Sequence, residues 1–231
     1  MVKNMKTIKE SQNVWGLFFS SLVQVSAPRI SGRLEKGLRE ISATEELSRE
    51  HAILTRLIIA MENVLTRLSS DMKTDLTPLN QSALIIKNIV IDHHMKFEEE
   101  NIYPKFKYDK TLMEVADKLQ AQHDMARETT KRMLELTKSK KIGNEKERDE
   151  LIQSGIMMSD LIRVHIAWEE SVLFTALQAA LPKSSIEELD RKMLEDEAKF
   201  IGDEGLEKLF DDLSRIERAA GTHDISAFPF R

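Results

Sequence analysis

The stretch from His165 to Phe174, HIAWEESVLF, constrains the chain more than any other. His165 and Glu169 are four residues apart, so on a helix they share one face, one turn apart. They fall within a stripe spaced by threes and fours: Leu151, Gly155, Met158, Ile162, His165, Glu169, Val172, Leu177. That pattern is the inward face of a bundle helix. A histidine and a carboxylate therefore stand where core residues belong, and a buried carboxylate is costly without a strong partner. The segment HHMKFEEENIYP repeats the device with His94 and Glu98. Two such pairs point to a metal site with two ions.

The rest of the chain must supply the helices that enclose this face. At 231 residues and 41% hydrophobic, it can bury one full core. Only 8 Gly and 5 Pro beside 32% charged residues predict a mostly helical protein. The absence of cysteine excludes disulfides, thiolate metal sites and iron–sulfur clusters. A net charge of -5 argues against a nucleic-acid partner, which favours a basic stripe. No apolar run reaches the roughly 18 residues of a stable membrane span. At the N-terminus, Lys3, Lys6 and Lys9 precede VWGLFFSSLVQVSA, which reads as an export signal. Glu10, Gln24 and the serines fit a cytoplasmic amphipathic leader equally well, so the expected location is cytoplasmic or exported. The expected organisation is a leader and connector over 1–42, a four-helix bundle over 43–181 and a helical extension over 182–231.

The first helix is expected from a Thr44 cap to near Ser69, with the inward stripe Leu47, His51, Leu54, Ile58, Met61, Leu65, Leu68. Thr77-Pro78 opens a second helix that runs to about Tyr103, before Pro104, with Ala83, Ile86, Val90, His94, Phe97 and Glu98 inward. A third begins near Thr111 and turns Leu112, Ala116, Leu119, His123, Ala126, Thr130 and Met133 to the core. The fourth covers roughly Glu145 to Ala180. Ser185 and Glu188 have capping-box spacing for a fifth helix. Gly202 and Gly205 bracket a break, Leu206 to Ala220 forms a sixth helix, and Gly221 suits its C-terminal cap. The tail HDISAFPFR is expected to pack back onto the bundle.

Short connections make neighbouring helices antiparallel. At 1.5 Å per residue, His51 lies about 10 Å from the start of its helix, and His94 and Glu98 about 8–14 Å from the end of theirs. By the same rise, His123 lies about 18 Å in, and His165 and Glu169 about 17–23 Å from the end. All six thus fall in one broad layer. A lone inward histidine is more often a hydrogen-bonded core residue than a ligand. Four helices each offering one at similar depth, two of them adding a glutamate, make that explanation a poor one. Imidazole and carboxylate without thiolate suit iron, manganese or zinc, and zinc would bring no redox chemistry.

The order His51, His94-x3-Glu98, His123, His165-x3-Glu169, set in LSREHAIL, HHMKFEEENIYPKF, AQHDMAR and HIAWEESVLF, resembles the hemerythrin-like (HHE) family over about Ala43 to Ala180. The segment EDEAKFIGDEGLEKLFDDLSRIE resembles the C-terminal extension of one bacterial branch. The resemblance implies an all-α, up-down-up-down four-helix bundle holding two iron ions with an oxo or hydroxo bridge. His51 and His94 would bind one ion and His123 and His165 the other, or a closely related split, with Glu98 and Glu169 bridging. The implied partner is a small molecule: dioxygen, nitric oxide or peroxide. Sensing, storage and detoxification fit, as does a di-iron redox enzyme of peroxidase-like or nitric-oxide-reducing type. A zinc-bound or metal-free interaction bundle is the remaining class. Oxygen-carrying hemerythrins have a second histidine one turn after the third-helix histidine, and here that place is Arg127. One ion would have one protein ligand fewer, which favours an exchangeable position. Electron donor and oligomeric state stay open.

Four further residues are candidates for the surroundings of the site. His93 points about 100° away from His94 and is expected beside the site or at the surface. Arg127 is expected to extend outward rather than neutralise a glutamate, and Trp168 to fill a gap between helices. Tyr103 and Tyr108 are expected to pack at the bundle end. Of Glu98, Glu99 and Glu100, only Glu98 has the phase to point inward, leaving the others solvated. Asp124 and His223 are expected to face solvent.

Overall fold

In the computed structural model, the described residues are 42–200, 202–224 and 226. The expected leader, save Ser42, and most of the expected C-terminal tail packing lie outside them. Among the described residues every regular element is helical.

Helix α1 spans Ala43–Ser70. Its cap is Ser42, not Thr44: the Ser42 hydroxyl accepts from the Glu45 N–H (3.3 Å), and Glu45 accepts from the Ser42 N–H (2.8 Å). Glu45, three residues on, closes this capping box, worth about 1 kcal/mol, whereas Thr44 has Leu47 at that spacing. Helix α2, Thr77–Ile85, is likewise not capped by Thr77. Buried Leu76 holds the cap position, and Asp75 accepts from both the N–H and the hydroxyl of Thr77 (3.0 and 2.7 Å). The second bundle helix continues through the wider turns Ile86–Met95 and Glu98–Ile102 and ends in a 3-10 turn, Tyr103–Phe106, which takes Pro104 at its start. Helix α3, Lys110–Thr137, starts where Asp109 accepts from the N–H groups of Thr111 and Leu112 (3.0 and 3.1 Å). The fourth bundle helix is α4 (Glu145–Trp168), a π turn (Glu169–Leu173) and α5 (Phe174–Ala180).

The sequence of core contacts along each helix fixes the alternation. Two buried clusters lie on either side of the histidine layer: one contains Leu54, Val90, Ala126 and Ile162, the other Leu47, Phe97, Leu119 and Leu173. The first and third bundle helices pass from the second cluster through their histidine to the first. The second and fourth pass the opposite way. The result is the expected up-down-up-down bundle. Helix α4 approaches α1 so closely that a Cβ on Gly155 would collide with Leu65, which accounts for a glycine within the inward stripe.

Helix α6 spans Lys183–Phe200 and α7 Gly202–Ala220. Leu181, held extended before Pro182, ends the fourth bundle helix. The Pro182 carbonyl then accepts from the Ser185 and Ile186 N–H groups, so Ser185 lies inside the first turn instead of capping it. Helix α7 starts at Gly202 rather than Leu206, its two glycines falling in the first turn, and Gly221 ends it at φ +75°. Both helices pack on α1, and α7 also on α2. Asp190 accepts from the Ala43 N–H (2.7 Å), and Arg56 makes a two-pronged ion pair with Glu217 (2.7 and 2.8 Å). Among the described residues, no helix is long and apolar enough to cross a membrane.

Candidate metal centre

All six inward residues meet in one buried layer. His51 Nε2 lies 3.2 Å from His94 Nε2, and His123 Nε2 lies 3.1 Å from His165 Nε2. Glu98 spans the two pairs, with Oε1 3.3 Å from His94 and Oε2 3.5 Å from His123. Glu169 turns one oxygen, Oε2, to His51 (3.3 Å) and to His165 (3.2 Å). Two groups result, His51–His94–Glu98–Glu169 and Glu98–His123–His165–Glu169, each with its ligand atoms within 4.8 Å of one another. Either could hold a cation. Both oxygens of Glu98 and Oε2 of Glu169 are fully buried without a hydrogen-bond donor. Such atoms are expensive to bury unless a positive charge faces them. Their protonation reflects this. Burial and the neighbouring carboxylate oppose ionisation of Glu98, yet His94 and His123 hold its pKa below the ordinary value. Burial is likewise outweighed at Glu169 by His165 and His51.

Each imidazole is aimed from behind. The Nδ1–H of His51 donates to Glu170, that of His94 to Glu50 and that of His123 to Glu99, all at 2.7 Å. His165 donates to the Gln122 carbonyl oxygen at 3.0 Å. A donor bond at Nδ1 leaves Nε2 with its lone pair toward the centre, the tautomer a metal ligand needs. Burial resists charge on Glu50 and Glu99, but their histidines, with Arg127 beside Glu99, bring both pKa values down to about 2. At His94 the carboxylates of Glu98 and Glu50 overcome burial and raise the imidazole pKa well above its ordinary value.

None of these four supporting residues was found from the sequence. Their signal is adjacency to the candidate ligands. Glu50 precedes His51 and Gln122 precedes His123, each holding the histidine of the next bundle helix. Glu99 follows Glu98 and Glu170 follows Glu169, each holding a histidine on a neighbouring helix. The π turns make the second arrangement possible. Tyr103 N–H bonds to the Glu98 carbonyl and Phe174 N–H to that of Glu169. The widened turn lets two consecutive glutamates serve the site and returns the fifth residue to it. Tyr103 then stacks on His123 (centroids 5.6 Å, 24°) and Phe174 on His51 (5.8 Å, 4°).

The remaining candidates fall out differently. Tyr103 is buried as expected, and its hydroxyl donates to Glu169 Oε1 at 2.7 Å, 3.2 Å from His123 Nε2. Burial and the two central carboxylates push its pKa well up, so it stays a phenol. Glu99 is not a solvated residue, because the π turn swings it to His123. Nor does Arg127 extend freely outward: it pairs with Glu99 (2.6 Å) and Asp124 (2.9 Å). Trp168 fills no gap; it is 48% exposed, pointing away from the inward face of α4. Tyr108, expected to pack at the bundle end, is instead 89% exposed, and Asp124 and His223 face solvent as expected. His93 is buried between Glu50 (3.3 Å) and Asp196 (3.1 Å) and stacks on Phe200, so it faces α6 rather than the centre.

Sequence comparison agrees with the geometry. The hemerythrin HHE cation binding domain matches residues 42–177, more than half of the chain, and the chain belongs to that family. It is also similar to an uncharacterized protein of Mycobacterium bovis and to two of Mycobacterium tuberculosis. Each is 28% identical over 188 residues, covering 81% of this chain and 74% of the relative. No solved structure matches the chain.

Proposed function

We propose that the protein holds two iron ions and binds dioxygen or a related small oxidant, nitric oxide or peroxide. The observation that carries this reading is the pair of buried four-residue groups sharing Glu98 and Glu169. His51 and His94 would hold one ion and His123 and His165 the other, with both glutamates shared. Bound iron would supply reversible redox change and a position for a diatomic ligand. The chain's own contribution is pre-organisation. Glu50, Glu99, Glu170 and Gln122 keep each Nε2 free and directed inward. The apolar layers above and below, including Leu54, Val90, Phe97 and Leu173, exclude water.

A redox enzyme is the second reading, supported by Arg127. It stands where oxygen carriers have a further histidine, and it is engaged with Glu99 and Asp124 instead. An open position suits turnover as well as reversible binding.

Metal analysis and an optical spectrum, before and after exposure to air, test both readings. Two irons per chain with an absorption that comes and goes with oxygen support a binder. Two irons with sustained consumption of peroxide or nitric oxide support an enzyme. One zinc, or no metal with stability unchanged by chelation, would sink both and leave an interaction bundle.

A further inference from the structure

The two central carboxylates are not equivalent, and the difference traces to one hydroxyl. Glu98 offers one oxygen to each side, Oε1 toward His94 and Oε2 toward His123, and neither has a donor. Glu169 faces both sides with the same atom: Oε2 is the oxygen near His51 and near His165. Its other oxygen, Oε1, accepts from Tyr103. The equivalent aromatic of the other π turn is Phe174, which has no hydroxyl to offer Glu98.

Resting on the two-ion reading, we propose that Tyr103 is a positioning residue that sets the bridging mode of Glu169. Glu98 would offer one oxygen to each ion, and Glu169 would offer Oε2 to both while the Tyr103 hydroxyl holds Oε1. A hydrogen bond to a buried carboxylate is among the stronger ones, so its removal releases an oxygen with no other protein donor. A single-atom bridge draws two cations closer than a two-oxygen bridge does. With Oε1 so held, the two ions would sit closer together, and the phenol places one hydroxyl on the His123 side with none on the His51 side.

The test uses the full chain loaded with Co(II), with metal content measured first and the metal–metal separation read by X-ray absorption. Y103F is expected to keep two ions at a longer separation, as Glu169 gains the freedom of Glu98. F174Y leaves Tyr103 in place, offers a hydroxyl toward Glu98 and is expected to shorten the separation. An unchanged separation in Y103F overturns this inference alone, and so does an unchanged separation in F174Y. Loss of one ion from Y103F also overturns it, since the phenol would then be a ligand. A wild-type chain that takes up fewer than two ions overturns the two-ion reading and this inference together.

Discussion

The pair formed by α1 and the second bundle helix differs from the pair formed by α3 and the fourth in its supports, not in its inward residues. Each pair contributes two histidines and one central glutamate. Behind His94 stands the carboxylate of Glu50, whereas behind His165 stands the amide of Gln122. The first pair is overlaid by α6 and α7, which reach Ala43, Arg56 and His93. On the second pair Met125, Met157, Val164 and Trp168 are exposed. On the proposed two-ion reading, the inward residues answer to the chemistry of a cation, which both halves would have to satisfy alike. The residues behind them set charge and rigidity, and there the halves are free to diverge.

The largest expected effect comes from breaking each half in turn. His94→Ala and His165→Ala should each cost one of two ions, read by metal analysis of the purified chain. Loss of both ions from either variant would mean that the halves cannot be filled separately. Next comes exchanging the supports. Glu50→Gln should weaken metal binding by roughly 10–100-fold and Gln122→Glu should tighten it, since a charged partner raises the basicity of the imidazole it holds. Competition with a chelator measures both. Equal, negligible changes would show that the charge behind the imidazole is immaterial.

Acid titration of the metal-free chain separates more gently the supports of the two histidine pairs, Glu50 behind His94 and Glu99 behind His123. Glu50 and Glu99 have folded pKa values of about 2, below the ordinary 4.5. Their contribution is fully present above about pH 4.5 and is lost as the pH falls toward 2. Glu50→Gln should flatten that limb of a thermal-stability profile more than Glu99→Gln, because Glu99 is closer to solvent. The smallest effect belongs to the overlay. Burial and the nearby Glu46 and Glu50 raise the Glu197 pKa to about 7. The folded state therefore keeps a proton there, and stability declines as the pH rises from about 4.5 through 7. Glu197→Gln should gain on the wild type at pH 8 relative to pH 5. A constant offset between the two melting curves would rule this out.

The bundle and its six inward residues were legible because both obey the helical period. Core spacing placed His51, His94, His123 and His165 on inward stripes, and counting residues placed them at one depth. The supports were not legible for the same reason. Glu50 and Gln122 are one residue out of phase with the inward face, and their role exists only across a helix–helix contact. Glu99 and Glu170 depend on π turns, which hydrophobic periodicity does not encode. Arg127 departs from its expected outward course because its partner, Glu99, is drawn inward by the π turn. Trp168, expected to fill a gap between helices, has a phase on α4 that faces outward.

The Asp190 and Arg56 contacts bear on where the protein can be cut. The family match ends at residue 177, but the folding unit does not. Leu213, Ile216 and Ala220 share a buried cluster with Leu57, Met61 and Leu68, and Leu189 and Met193 share the other with Leu47 and Phe97. A fragment excised at the family boundary would bare apolar surface along α1, strip the Ala43 N–H of its acceptor and open the roof over His93. The border drawn by the family match and the border of the packed unit diverge here, with α6 and α7 lying past the first and inside the second.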